Sequence, residues 1–179
     1  FTQYNGVACS PRIARLSSSG VLDATFNTNA GTGFNGTVTS LAVHTDGRIY
    51  VGGSFSQFNG QAAPRFTRLE ANGTHLPLGL TSTGFNSSVY SILVLPDARI
   101  VVGGGFTTYN GTTANRLIGL NADGSIDPGF VTGTGADGAV RAFARQTDGS
   151  IIVAGDFSTY NTVASGNLMR LTAAGARDA

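Results

Sequence analysis

Apolar residues in this chain fall in short runs of four to six, each closed by Gly, Asn or Asp. Arg12-Ile13-Ala14-Arg15-Leu16, Val38-Thr39-Ser40-Leu41-Ala42-Val43 and Arg48-Ile49-Tyr50-Val51 set the pattern. Short length, β-branched content and flanking turn residues predict strands. Asp46-Gly47 and Asp148-Gly149 each join two runs, and Gly there tolerates the positive φ of a tight hairpin turn. Ala98 weakens that signal in Asp97-Ala98. The run from Leu168 to Ala174 has helical propensity, but its register with the earlier runs predicts a strand.

The runs repeat. Phe-Thr-Gln-Tyr-Asn-Gly starts at Phe1, Phe-Ser-Gln-Phe-Asn-Gly at Phe55, Phe-Thr-Thr-Tyr-Asn-Gly at Phe106 and Phe-Ser-Thr-Tyr-Asn-Thr at Phe157. The spacings are 54, 51 and 51 residues, and the first unit carries about three extra residues in a loop near Asn27 to Asn35. The chain divides into units 1–54, 55–105, 106–156 and a partial 157–179, all within one propeller segment. Each full unit predicts four strands, the signature of an all-β propeller built of four-stranded antiparallel blades. A β-helix is the runner-up, although its turns are usually shorter. Small pairs such as Gly52-Gly53 and Gly103-Gly104 close strands where backbones approach. Fourteen predicted strands make about three and a half blades, with a half-blade expected at each end. Propellers close with about four to eight blades. The chain is therefore expected to be a fragment, or to be completed by another protein chain or a second copy. Two copies would sum to seven blades.

The motif Phe106-Thr-Thr-Tyr-Asn-Gly, then Arg116 through Phe130, then Asp148-Gly-Ser-Ile-Ile-Val-Ala-Gly-Asp-Phe157 resembles the delta-60 repeat β-propeller family, and residues 1–53 match equally well. The resemblance implies a propeller in a bacterial surface or secreted protein, and it brings no catalytic motif. His75-Leu76, where other units have Leu-Asp or Ile-Asp, departs from the pattern.

Composition narrows the function. Charged residues are 12% of the chain, against roughly 25% in an average soluble domain. A net charge of +1 points away from nucleic acid, and no apolar run has the roughly 20 residues of a membrane helix. A single cysteine, Cys9, leaves no intrachain disulfide framework, and the chain opens on Phe1 without a leader, as a mature product or fragment would. No cofactor or metal is expected. Asn121-Ala-Asp-Gly-Ser-Ile-Asp127 has oxygen ligands, but the one glutamate of the chain, Glu70, lies elsewhere.

Most candidate chemistry is locked to the repeat. Asp46, Asp97 and Asp148 recur every 51 residues and read as turn residues rather than a catalytic pair. Asp137 and Asp156 are off-pattern and are the acids to check for a polysaccharide-acting enzyme, the least favoured reading. Arg12, Arg65 and Arg116 in one repeated slot, and Arg48 and Arg99 in another, are expected to tie to the repeat aspartates. Arg141 and Arg145 break the apolar pattern of their strand, where other units carry Thr39/Val43 and Tyr90/Val94, and are candidates for blade-specific binding. Tyr4-Asn5, Phe58-Asn59, Tyr109-Asn110 and Tyr160-Asn161 offer an aromatic and an amide once per unit, a pattern suited to multivalent binding of a cell-surface glycan. The leading expectation is a non-catalytic structural or interaction module, extracellular or at the cell surface. A lectin-like propeller is the alternative.

Overall fold

The computed structural model describes residues 1–78 and 83–178; residues 79–82 of the second unit, and Ala179 at the end of the last, lie outside them. Three blades follow one another. In the first, Val38–Val43 pairs with Ile49–Gly53, which pairs with Phe66–Leu69. The second uses Val89–Val94, Ile100–Gly104 and Leu117–Leu120, and the third Val140–Arg145, Ile151–Gly155 and Leu168–Leu171. All pairings are antiparallel. The fourth strand of each blade is reduced to one bridge, Leu69 to His75, Leu120 to Ile126 or Leu171 to Arg177.

A blade therefore takes its inner pair from one repeat unit and its outer pair from the next. This corrects the expected half-blade at each end. Among the described residues the last blade has both its pairs, and only the N-terminal outer pair, bridged at Leu16 and Leu22, lacks an inner pair. Both hairpins of a blade turn alike: Gly47 donates to His44 at 2.9 Å, and Gly73 to Glu70 at 2.9 Å. The turn needs positive φ, which Gly47 and Gly149 adopt at 89° and 92° and which Ala98 is forced into at 70°.

The structure adds a helix where the sequence predicts a loop. Ala24–Ala30 is capped by Asp23, whose carboxylate accepts from the Phe26 amide at 2.9 Å, and it buries Phe26 and Ala30. The Phe26 amide, followed by Arg15, holds the Asp23 carboxyl below its usual range.

The core lies between blades. Phe34, in the loop before the first blade, sits 4.4 Å from Phe55 and 4.6 Å from Phe58, ring to ring. Phe85 repeats this at 4.3 Å from Phe106 and 4.5 Å from Tyr109. Each ring fully buried in this way stabilises by roughly 1.5–3 kcal/mol. In the third blade the smaller Ala136 takes the slot and bridges Tyr160. Gly52 and Gly103 fit this layering because the next blade's inner strand rests on them: a Cβ on Gly103 would lie 2.5 Å from Val140 Cγ1.

Candidate functional site

The repeated aromatic-Asn pairs prove to be architecture in three of the four units. The hairpins Gln57–Phe58 with Gln61–Ala62, Thr108–Tyr109 with Thr112–Thr113, and Thr159–Tyr160 with Val163–Ala164 turn on two residues of positive φ. Asn59 and Gly60 have φ of 47° and 74°, the signature of a type I′ turn. The Asn amides donate to Gly33, Gly84 and Gly135 carbonyls at 2.8–2.9 Å. Their side-chain oxygens accept from the backbone amides of Thr32, Gly84 and Gly135 at 3.1, 3.0 and 3.2 Å. Asn59, Asn110 and Asn161 thus tie each hairpin to the preceding loop.

The rings beside them are buried. Phe58, Tyr109 and Tyr160 have no face left for a sugar, and the two phenols donate to Gly124 and Gly175 carbonyls at 2.7 and 2.9 Å. Burial pushes both phenol pKa values up. A multivalent glycan site on these residues is therefore corrected to a packing motif. Tyr4 and Asn5 are the exception. Tyr4 is half-buried, Asn5 is exposed, and both line an open groove of about 570 Å³ with Val7, Leu22 and Asn27.

The arginines of the second repeated slot meet the repeat aspartates, Arg48 at 3.3 Å from Asp46 and Arg99 at 2.8 Å from Asp97, but those of the first slot do not. Arg12 and Arg65 reach the Phe34 and Phe85 carbonyls, and Arg116 the Phe106 carbonyl at 3.2 Å. Asp46, Asp97 and Asp148 accept from the amide two residues on, as turn residues do. Asp123 is likewise spent on Ser125, and Asp127 on Arg99 and the Gly129 amide. Among the described residues, no three His, Cys, Asp or Glu side chains gather as a metal site would require.

What differs from blade to blade sits at one rim. Each inner strand carries a bulge near its start, between Val38 and Ser40, Val89 and Ser91, and Val140 and Ala142. The extra residues are Thr39, Tyr90 and Arg141. A bulge re-aims a side chain out of the strand's alternation, and each of these reaches another blade or another chain segment. Thr39 Oγ1 donates to the Val89 carbonyl at 2.5 Å. The Arg141 guanidinium stands 4.5 Å from the Tyr90 ring centroid and is bound by Asp156 through Nε at 2.8 Å and Nη2 at 2.5 Å. The residue before each repeat Phe varies in step: Ser54, Gly105 and Asp156. A Cβ on Gly105 would sit in ordinary contact with Tyr90 Oη, at 3.4 Å. Arg141 and Asp156 are both more than half exposed.

Arg145 does not join this site. It lies at the far end of the same strand, beside Gly149, a span of roughly 14 Å at strand spacing. Asp137 is also claimed: it accepts from the Ser158 and Thr159 amides at 2.8 and 2.9 Å and from the Ser158 hydroxyl at 2.6 Å. Those bonds hold its carboxyl far below the usual range, Ser158 first. Asn35 and Asn86 fill the same slot elsewhere and accept from the equivalent amides, so Asp137 is a loop tie. Tyr90 is the partner that residue-type reasoning passed over. The signal was present, because its slot alternates between a hydroxyl, an aromatic ring and a guanidinium in strands that all begin on Val.

No helix of the described residues is long and apolar enough to cross a membrane. A family model for a domain of unknown function (DUF5122) beta-propeller matches residues 1–26, 44–74, 95–130 and 146–179. The matched segments carry the outer pairs, the hairpin turns and the second inner strands. Thr39, Tyr90 and Arg141 all lie between them. No curated protein matches the chain.

Proposed function

We propose that this chain, which belongs to the DUF5122 beta-propeller family, is a non-catalytic interaction module of a bacterial surface or secreted protein. Its blade-specific rim makes the contact. The finer kinship to delta-60 repeats rests on the Phe106 to Phe157 motif and supplies the bacterial surface setting. One observation carries the reading: Arg141 and Asp156 form an exposed cation and carboxylate against the half-buried Tyr90 ring, on a frame that otherwise repeats. Arg stacked on an aromatic ring is a common anchor at protein interfaces.

Binding of the labelled chain to bacterial cell envelopes tests this. The double substitution Tyr90→Ala with Arg141→Ala is expected to lower binding tenfold or more, while Arg48→Ala at the opposite turn leaves it unchanged. Equal binding by all three proteins, or no binding by any, overturns the proposal.

A glycan-binding role survives in narrower form. Among the four pairs, Tyr4 and Asn5 alone keep a half-buried ring and an exposed amide along a groove. That reading expects one site rather than four, and a glycan array on which Tyr4→Ala matches the parent chain overturns it.

A further inference from the structure

The N-terminal outer pair lacks what every other outer pair has. In the three blades, Leu69, Leu120 and Leu171 register with Ile49, Ile100 and Ile151 of the second inner strand. Gly53, Gly104 and Gly155 close those strands, donating to the Arg65, Arg116 and Asn167 carbonyls at 3.0 Å. The equivalent edge in the N-terminal pair is residues 13–16, and the equivalent carbonyl is that of Arg12. Among the described residues, no strand lies along it.

A second deficit lies beside the first. Each inner pair also covers the inner strand of the next blade. Gly52 rests on Val89 and Ile92, and Gly103 on Val140 and Phe143. The matching residues of the first blade are Val38 and Leu41. Leu41 is 54% exposed where Ile92 is 8% exposed, and Val43 is 67% exposed. A cavity of about 220 Å³ lined by Phe1, Arg12, Thr37 and Val38 separates the open edge from this uncovered strand.

We infer that this site binds one occupant, a β-hairpin of the inner-pair type supplied from outside residues 1–179. Its second strand adds antiparallel to residues 13–16. Its penultimate glycine seats on Val38, as Gly103 seats on Val140, and its last glycine donates to the Arg12 carbonyl. One hairpin thus satisfies the open backbone edge and covers Leu41 and Val43. Strand addition of this kind takes affinity from main-chain hydrogen bonds and specificity from alternate side chains. An intact second copy has no hairpin to spare, because each of its three is held in its own blade.

The test uses residues 87–105, first as a free peptide added to the full chain, then joined directly to Phe1. That junction is natural, since Gly105 precedes Phe106, the counterpart of Phe1. The joined form is expected to slow amide exchange at Ala14 and Leu16 tenfold or more and to raise Tm. The free peptide is expected to compete with a hydrophobic dye for Leu41 and Val43. Gly103→Val in the added segment is expected to abolish both effects. Unchanged exchange at Ala14 and Leu16 in the joined form overturns the inference. So does protection indifferent to Gly103→Val, or the same protection produced by self-association of the unmodified chain. These readouts follow Ala14, Leu16, Leu41 and Val43 and involve no binding to cell envelopes, so failure here is distinct from failure of the rim proposal.

Discussion

Gly103 supports Val140 of the next blade so closely that a Cβ on the glycine would lie 2.5 Å from Val140 Cγ1 and 2.7 Å from Phe143 Cζ. Its counterpart Ala154 already carries a Cβ, on the face of the third blade where no further blade is packed. Gly103→Val is therefore expected to destabilise by more than about 2 kcal/mol through overpacking. Ala154→Val is expected to stay within about 0.5 kcal/mol. Urea unfolding of the two variants checks the contrast, and equal losses would mean that the glycine is not a packing requirement.

Two turn positions break the rule their counterparts obey. Ala98 at φ 70° and Thr162 at φ 65° stand where Gly47, Gly149 and Gly111 have the same handedness without a side chain. Left-handed backbone costs an L-residue roughly 1–2 kcal/mol. Ala98→Gly and Thr162→Gly are each expected to raise stability by about 1 kcal/mol, with a higher Tm in a calorimetric scan. A lowered Tm in both would remove backbone strain as the explanation.

His75 gives a pH dependence with a definite sign. Its Nε2 lies 2.8 Å from Thr67 Oγ1 and its Nδ1 2.7 Å from Gln61 Oε1, and burial lowers its pKa. The unfolded chain takes up the proton near pH 6.5, before the folded one does. The stabilisation is therefore complete above about pH 6.5 and declines as pH falls below it. Unfolding at pH 7.5 and 5.5 should show a smaller drop for His75→Gln than for the parent chain. Asp137 acts lower on the scale: its depressed carboxyl contributes stability that is lost as pH falls below about 4.

Under the proposed function, Arg141 and Asp156 serve recognition rather than folding. The pair is solvent-exposed on both sides, where ion pairs contribute little to stability. Arg141→Ala and Asp156→Ala are expected to leave Tm unchanged while altering binding to the envelope. A marked loss of Tm in either variant would return the pair to a structural role.

The register of the fold was legible because its causes are local. Strand length, turn glycines and the 51-residue spacing are written in each unit, and they determined the blade and its long hairpins, but not the count of strands: each fourth strand shrinks to one bridge, and the short hairpins at the aromatic-Asn turns were not foreseen. The residues at special backbone angles were legible too, since Asn-Gly at positive φ is a property of two neighbours. Asp23 as a helix cap was not, because Ala24–Ala30 is stabilised by burying Phe26 and Ala30 against another segment.

Only packing between distant residues decided the rest. Whether Asn59 faces a ligand or the Thr32 amide depends on a loop 27 residues away. Whether Arg12 meets a carboxylate or the Phe34 carbonyl depends on a separation of 22 residues. The pairing of Arg141 with Tyr90 joins two blades, and no pattern within either strand encodes it. The sequence set what each unit forms on its own. The tertiary structure determined which side chains remained for function, because each blade packs apolar side chains against the next and leaves outward what its neighbour does not use.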